Sequence, residues 1–346
     1  KFGQPEVNLG IMPGAGGTQR LPRIVPMAEA VKMMTTGNPI SSEKAKELGL
    51  VDEIVTGDLL EEAVRYAANL VKAGKGPRVV RNMAPRLEGD PKAFFAQVRE
   101  QVAKESKGYP APLEIVACAE AAATLPFDQG RKEERARFDK LVQGNESKAL
   151  RHMFFAERQT TKIPDVPEDT PLREIAKAAV IGAGTMGGGI AMSFANAGIP
   201  VTLLDMTDEA LHRGIETIRK NYAGTVAKGR LTQPDMDKRM ALIRGTTNLG
   251  NIADADIVIE AVFERMDVKQ DMFRKLDGIV KQGAILATNT STLNVDEIAA
   301  ATARPQDVIG THFFSPANVM RLLEVVRGRQ TDKGVLATTM KLGKAL

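Results

Sequence analysis

Apolar residues fall into two textures along this chain of 346 residues. From about residue 173 onward, five short and nearly continuous apolar runs, "KAAVIG", "IPVTLLD", "DIVIEAV", "GAILATN" and "DVIGTHFF", alternate with stretches of helical periodicity. Strands without polar alternation are covered on both faces, so this half predicts a parallel sheet between helices. Residues 1–75 instead break short apolar runs with glycine turns, and 76–172 are rich in Ala, Glu, Lys and Arg at helical spacing. In the first segment, "PMAEAVKMMTTG" predicts a helix stopping at Gly37. "SSEKAKELGLVDEIV" predicts a helix capped by Ser41 or Ser42 and broken at Gly49, with "LVDEIV" as a short strand after it. "KIPDVPEDTP" sets three prolines in ten residues, which marks a domain boundary. The pattern therefore predicts an α/β protein with divisions at 1–75, 76–172 and 173–346.

Composition narrows this picture only a little. A hydrophobic fraction of 43% with 26% charged residues is that of an ordinary globular protein. The 47 basic and 43 acidic residues, with no long cationic run, argue against nucleic acid as a partner. Cys118 stands alone and is expected to be a buried structural thiol. No stretch approaches the roughly eighteen apolar residues of a membrane helix, and the N-terminus lacks signal-peptide character. A start without Met and an end at "KLGKAL" lead to the expectation of a segment from a longer protein.

The clearest chemistry lies in "AAVIGAGTMGGGIAMSFANAGIPVTLLD", where Gly182, Gly184 and Gly187 have G-x-G-x-x-G spacing between a strand and a helix. The first glycine permits a tight turn, the second a close approach of backbone to pyrophosphate, and the third close packing of helix on strand. Asp205 ends the next strand, where a carboxylate accepts from a ribose 2′-OH and repels a 2′-phosphate, so NAD is expected over NADP. Gly188 and Gly189 are assigned to packing. No metal is expected.

Oxidation of an alcohol by NAD requires a base, and the chain has three histidines. His152 and His212 sit in helical stretches as solvated or packing residues. His312 ends an apolar run at the carboxyl end of a strand, where open parallel sheets bind ligands. Glu324, twelve residues on, begins "LEVVRG", a further short strand. Were the two strands adjacent, the carboxylate would hold the imidazole tautomer and stabilise the imidazolium. Ser291, in "LATNTSTLN", ends another strand within reach of a substrate oxygen. Each also has a plain structural reading: a buried histidine satisfied by backbone, a surface glutamate, a serine capping a helix.

"AVIGAGTMGGGIA", "NTSTL", "GTHFFSPANVM" and "LLEVVRG" closely resemble the 3-hydroxyacyl-CoA dehydrogenase family, and "QPEVNLGIMPGAGGTQRLPR" resembles the enoyl-CoA hydratase (crotonase) superfamily. Their combination on one chain is similar to the multifunctional fatty-acid β-oxidation enzymes. The resemblance implies a C-terminal Rossmann-type domain, a helical linker and an N-terminal remnant of a crotonase (ββα-spiral) fold. It makes His312 the base, Glu324 its partner and Ser291 the residue that binds the 3-hydroxyl, with NAD near Met186, Asp205, Val262, Phe263, Glu264, Lys269 and Ser291. Ser315 stands where the family has asparagine, and a further catalytic asparagine and the helical acyl-site domain are expected beyond Leu346. On the hydratase side it makes Glu6 one of two catalytic glutamates and places Gly14 near the catalytic water, with the other glutamate and the oxyanion-hole amides expected before Lys1.

The implied activity is NAD-dependent oxidation of (S)-3-hydroxyacyl-CoA to 3-oxoacyl-CoA, with hydration of trans-2-enoyl-CoA in the full-length protein. Acyl-CoA substrates and a thiolase subunit are the implied partners, in the cytoplasm of a bacterium or the peroxisome or mitochondrion of a eukaryote. Two alternatives stay open: a module that binds NAD or acyl-CoA without turnover, and a dehydrogenase for another hydroxy acid.

Overall fold

The computed structural model describes residues 1–346, which divide into two compact units, Lys1–Lys162 and Ile163–Leu346. The first unit is helical. It contains α1 (Gly17–Ile24), α2 (Met27–Thr36), α3 (Ser42–Leu48), α4 (Leu59–Lys72), α5 (Pro91–Glu105), α6 (Ala111–Thr124), α7 (Phe127–Gln143) and α8 (Asn145–Gln159). The Ala-rich α6 is buried on most of its surface, and α1, α2, α5 and α7 pack against it. Small side chains at these positions let the neighbouring helices approach it closely. Around it gather Met12, Met34 and Phe95, each fully buried, against its own Ile115.

Helix ends follow the anticipated punctuation. Gly37 and Gly49 close α2 and α3 in the left-handed conformation, and Ser41 caps α3 by accepting the Lys44 amide at 3.2 Å. The expected strand at "LVDEIV" does not form. The Leu50 amide instead turns back to the Ala45 carbonyl at 2.8 Å, closing α3, and no neighbouring strand offers these residues a ladder. Apolar character alone does not make a strand where the backbone has no partner.

The second unit is built on a seven-stranded sheet in the order β3-β2-β1-β4-β5-β6-β7. Its strands are β1 (Ala178–Ile181), β2 (Val201–Leu204), β3 (Ile243–Thr246), β4 (Ile257–Glu260), β5 (Ile285–Thr288), β6 (Val308–Phe313) and β7 (Leu323–Arg327). All neighbours pair in parallel except β7, which runs antiparallel to β6. Alternate residues of one strand serve opposite cores. Val180, Leu203, Ile257 and Ile259 face one side, and Ile181, Leu204, Val258 and Leu286 the other. Both faces are covered, hence the continuous runs.

Helices α9 (Thr185–Asn196), α10 (Asp208–Ala227) and α14 (Lys333–Ala345) fill the first side through Ile190, Phe194, Ile218 and Val335. The short α11 (Gln233–Ala241) adds Met236 to it. Helices α12 (Met266–Ile279) and α13 (Val295–Ala299) cover the second through Phe273, Leu276 and Ile298. Strand order reverses between β1 and β4, which opens a crevice at the carboxyl ends of those strands.

Candidate active site

The glycine loop leaves β1 and enters α9 through three different constraints. Gly182 has φ of +102°, and a Cβ there would lie 2.6 Å from the Ala261 carbonyl oxygen. A Cβ on Gly187 would lie 1.7 Å from the Gly182 oxygen, so helix and strand touch backbone to backbone. Gly184 differs, since a Cβ there would meet nothing within 4 Å. Its openness faces a groove of about 370 Å³ lined by Ala183, Gly184, Thr185, Asp205 and Arg213. No side chain caps α9, whose first amides and positive dipole end are free to meet an anion.

Asp205 follows β2 and accepts the Ala183 and Met206 amides, each at 2.7 Å. Two bonds leave a carboxylate further acceptor capacity on the groove side. An open glycine, an uncapped helix start and a carboxylate at the second strand end make a cradle that fits a dinucleotide. Gly189 is tightly packed, since a Cβ there would meet Ala317 at 3.1 Å, whereas at Gly188 the nearest atom is on Ile218 at 3.6 Å, and both glycines also line the groove.

Across the switch point, the ends of β4, β5 and β6 carry the other predicted residues. The β6–β7 register pairs His312 with Glu324, and Nδ1 lies 2.8 Å from Glu324 Oε2. With Nδ1–H donated to the carboxylate, Nε2 carries the lone pair. The imidazole is mostly buried and leans on the Phe314 ring, at 4.7 Å between centroids. One residue on, the Phe313 amide donates to Asn289 Oδ1 at 2.9 Å, tying the histidine strand to the end of β5. Ser315 follows, joined to Pro316 by a cis peptide bond.

Ser291 lies in the turn after β5, at the same carboxyl edge as His312 on the adjacent strand. Glu264 Oε1 accepts the Ser291 amide at 2.9 Å and the Ser291 hydroxyl at 3.3 Å. Burial works to raise the Glu264 carboxyl. The Thr290 hydroxyl, the Ser291 amide and the Lys269 ammonium outweigh it and hold the group below its ordinary value. Met186 is partly buried against the core, Val262 likewise, and Phe263 is strongly exposed. Lys269 is fully buried, its ammonium 2.8 Å from Glu260 and 3.3 Å from Glu264.

In the first unit, Glu6 stands in a 3-10 turn, Pro5–Leu9, with Oε2 buried and without a hydrogen-bond partner. Gly14 lies in the loop before α1, where a Cβ would press on the Phe138 ring at 3.3 Å. The same loop is anchored by Glu134, a buried carboxylate that accepts the Gly16 amide at 2.6 Å and the Thr18 amide at 3.1 Å.

Sequence reasoning passed over Glu260, Asn289 and Glu134. A carboxylate closing the apolar run "DIVIE" was a usable signal for the first. Glu134 lies among the charges of "RKEERARF" and carries none.

Fold and site together define a dinucleotide-binding α/β unit with a histidine–carboxylate pair at its ligand edge. Comparison with known proteins makes this specific: residues 177–346 match the family described as 3-hydroxyacyl-CoA dehydrogenase, NAD binding domain, and residues 1–107 the family described as enoyl-CoA hydratase/isomerase. The chain thus carries a 3-hydroxyacyl-CoA dehydrogenase NAD-binding domain, preceded by enoyl-CoA hydratase/isomerase sequence.

Among relatives, the fatty acid oxidation complex subunit alpha of Shewanella amazonensis is 38% identical over 99% of this chain and 49% of its own length. The peroxisomal bifunctional enzyme of Cavia porcellus is 37% identical over 100% of this chain and 48% of its own. The chain therefore spans about half the length of these curated relatives. Among solved structures, the (S)-3-hydroxybutyryl-CoA dehydrogenase of Ralstonia eutropha is 38% identical, covering 50% of this chain and 61% of that one with a TM-score of 0.49. No helix is long and apolar enough to cross a membrane.

Proposed function

We propose that the protein oxidises (S)-3-hydroxyacyl-CoA to 3-oxoacyl-CoA with NAD, and that its N-terminal sequence serves hydration of trans-2-enoyl-CoA, both within fatty-acid β-oxidation. The observation that carries this reading is the His312–Glu324 pair, held at 2.8 Å by strand register at the carboxyl edge of the sheet. Gly182, Gly184, Met186, Gly187, Asp205 and the 262–264 segment would hold the cofactor. NAD, when bound, supplies the acceptor for the hydride leaving C3.

His312 Nε2 takes the hydroxyl proton as that hydride departs, and Glu324 keeps Nδ1–H and balances the imidazolium that results. The Ser291 hydroxyl bonds the substrate oxygen and orients it towards Nε2. In the first unit, Glu6 offers an uncommitted, buried carboxylate oxygen for proton transfer, beside the loop carrying Gly14. Acyl-CoA is the substrate class. The name of the bacterial relative, a complex subunit, supports a partner subunit, and a thiolase is the partner proposed. A bacterial cytoplasm or a eukaryotic peroxisome is the corresponding location.

The test uses this chain: calorimetric titration with NADH, and NADH-dependent reduction of acetoacetyl-CoA followed by absorbance. His312→Ala is expected to keep NADH affinity and to lower turnover by about 10²–10⁴-fold. Binding with no turnover in either protein would favour a binding role for this chain, and failure to bind NADH would overturn both readings.

A further inference from the structure

Three charged side chains meet below the site, and two of them see no solvent at all: Glu260 and Lys269 are each 0% exposed, Glu264 38%. An ion taken fully out of water costs several kcal/mol unless its hydrogen-bonding capacity is filled. Here it is filled. The Lys269 ammonium has three donors and three acceptors: Glu260 Oε1 at 2.8 Å, Glu260 Oε2 at 3.0 Å and Glu264 Oε2 at 3.3 Å. Glu260 also receives the Val262 amide at 2.8 Å and the Thr288 hydroxyl at 2.7 Å. Four donors saturate its carboxylate, so Glu260 has nothing left for a ligand.

Glu264 is different because its two oxygens face different ways. Oε2 takes the ammonium, and Oε1 gathers the Thr290 hydroxyl, the Ser291 amide and, at 3.3 Å, the Thr292 amide. A single chain of charge-assisted bonds therefore runs from the buried end of β4, through Lys269, to the turn after β5. The turn has few other anchors: only the Leu293 amide, bonded to Thr290 Oγ1 at 2.9 Å, closes it from within.

We propose that Glu260 is a positioning residue which, through Lys269 and Glu264, fixes the 290–292 turn and with it the Ser291 hydroxyl. The proposal rests on the dehydrogenase reading for what Ser291 does, and on geometry alone for what holds it. In this arrangement Lys269 acts from the interior, as the splint between two carboxylates.

The experiment is hydrogen–deuterium exchange of backbone amides by mass spectrometry, with NADH titration and thermal melting on the same proteins. Glu260→Gln keeps the shape and removes one charge. It is expected to speed exchange in the 290–292 peptide by about tenfold, the loss of one charge-assisted bond, while peptides of β1 and β2 keep their parent rates. NADH affinity is expected to fall with it.

The double variant E260Q/K269M restores the net charge of the cluster. It is expected to melt above K269M, which strands two carboxylates, yet to keep fast exchange at 290–292 because Glu264 has lost its ammonium. Parent-like exchange at 290–292 in Glu260→Gln, acceleration spread evenly over all strands, or recovery of slow exchange in the double variant would each overturn the proposal. Should Glu260→Gln not fold, Thr288→Val, which removes one bond to the same carboxylate, and Glu264→Ala, which frees the same amides, put the same question. A parent chain that fails to bind NADH would sink the dehydrogenase reading and leave the exchange comparison standing.

Discussion

Two alanine substitutions three residues apart in the glycine loop are expected to fail in opposite ways. At Gly187 the new Cβ would sit 1.7 Å from the Gly182 carbonyl oxygen and 2.9 Å from its carbon, and both are backbone atoms. A carbon–oxygen contact needs about 3 Å or more, so α9 must move from the β1 turn by more than about 1 Å. Such a shift drags Ile190 and Phe194, both fully buried, out of register with the sheet. Overpacking of this kind costs about 1–3 kcal/mol and here falls at the upper end. For a unit of this size about 3 kcal/mol lowers the melting midpoint by about 6–12 °C.

At Gly184 the backbone has φ of −72° and ψ of −168°, extended geometry open to any residue, and a Cβ would meet no atom within 4 Å. Alanine is a poorer helix N-cap than glycine by roughly 1 kcal/mol, and the stiffer unfolded chain returns about 0.4–1 kcal/mol of that. Gly184→Ala is therefore expected to melt within about 2 °C of the parent, yet its methyl stands where pyrophosphate must approach and should raise the NADH dissociation constant by about tenfold or more. Differential scanning fluorimetry and calorimetric titration of both variants decide the matter. Parent-like NADH affinity in a folded Gly184→Ala, or an unchanged midpoint in Gly187→Ala, would refute the division of labour.

Two further outcomes are expected. Burial pushes the Cys118 thiol up to about 12 and leaves it 0% exposed, so a thiol reagent at pH 8 should label nothing in the native protein and one group after denaturation. Asp256 accepts the Ala176 and Lys177 amides at 2.8 Å and pairs with Lys281. Burial works to raise its carboxyl, and these donors outweigh it, holding the group below its ordinary value. A depressed carboxyl contributes stability that is full above the unfolded value of about 4 and is lost as pH falls through the folded one. Asp256→Asn should thus destabilise by about 1–2 kcal/mol at pH 7, and the gap to the parent should close only in acid below pH of about 4. A gap of constant size in melts from pH 7 to pH 3 would contradict the assignment.

What could be read from sequence follows from how local each interaction is. Five strands were legible because both faces of the sheet are buried, so no polar alternation interrupts them. The sixth parallel strand, β3, was not: "IRGT" carries a solvent-facing Arg244 and a glycine at the sheet edge, and four residues of mixed character resemble a loop. "LVDEIV" failed in the reverse sense, apolar without a ladder to join.

The same distinction governs the site. His312 and Glu324 lie on antiparallel neighbours joined by nine residues, and a connection that short leaves few registers, so their pairing could be anticipated from spacing. Glu264 reaches Ser291 over a sequence separation of 27 that takes in α12 and β5, where spacing says nothing about which side chains meet. Glu134 reaches Gly16 across 118 residues. Pairing set by a hairpin is therefore open to sequence reasoning, whereas a carboxylate that bonds the amides of the 290–292 turn becomes visible only when the crossover is folded.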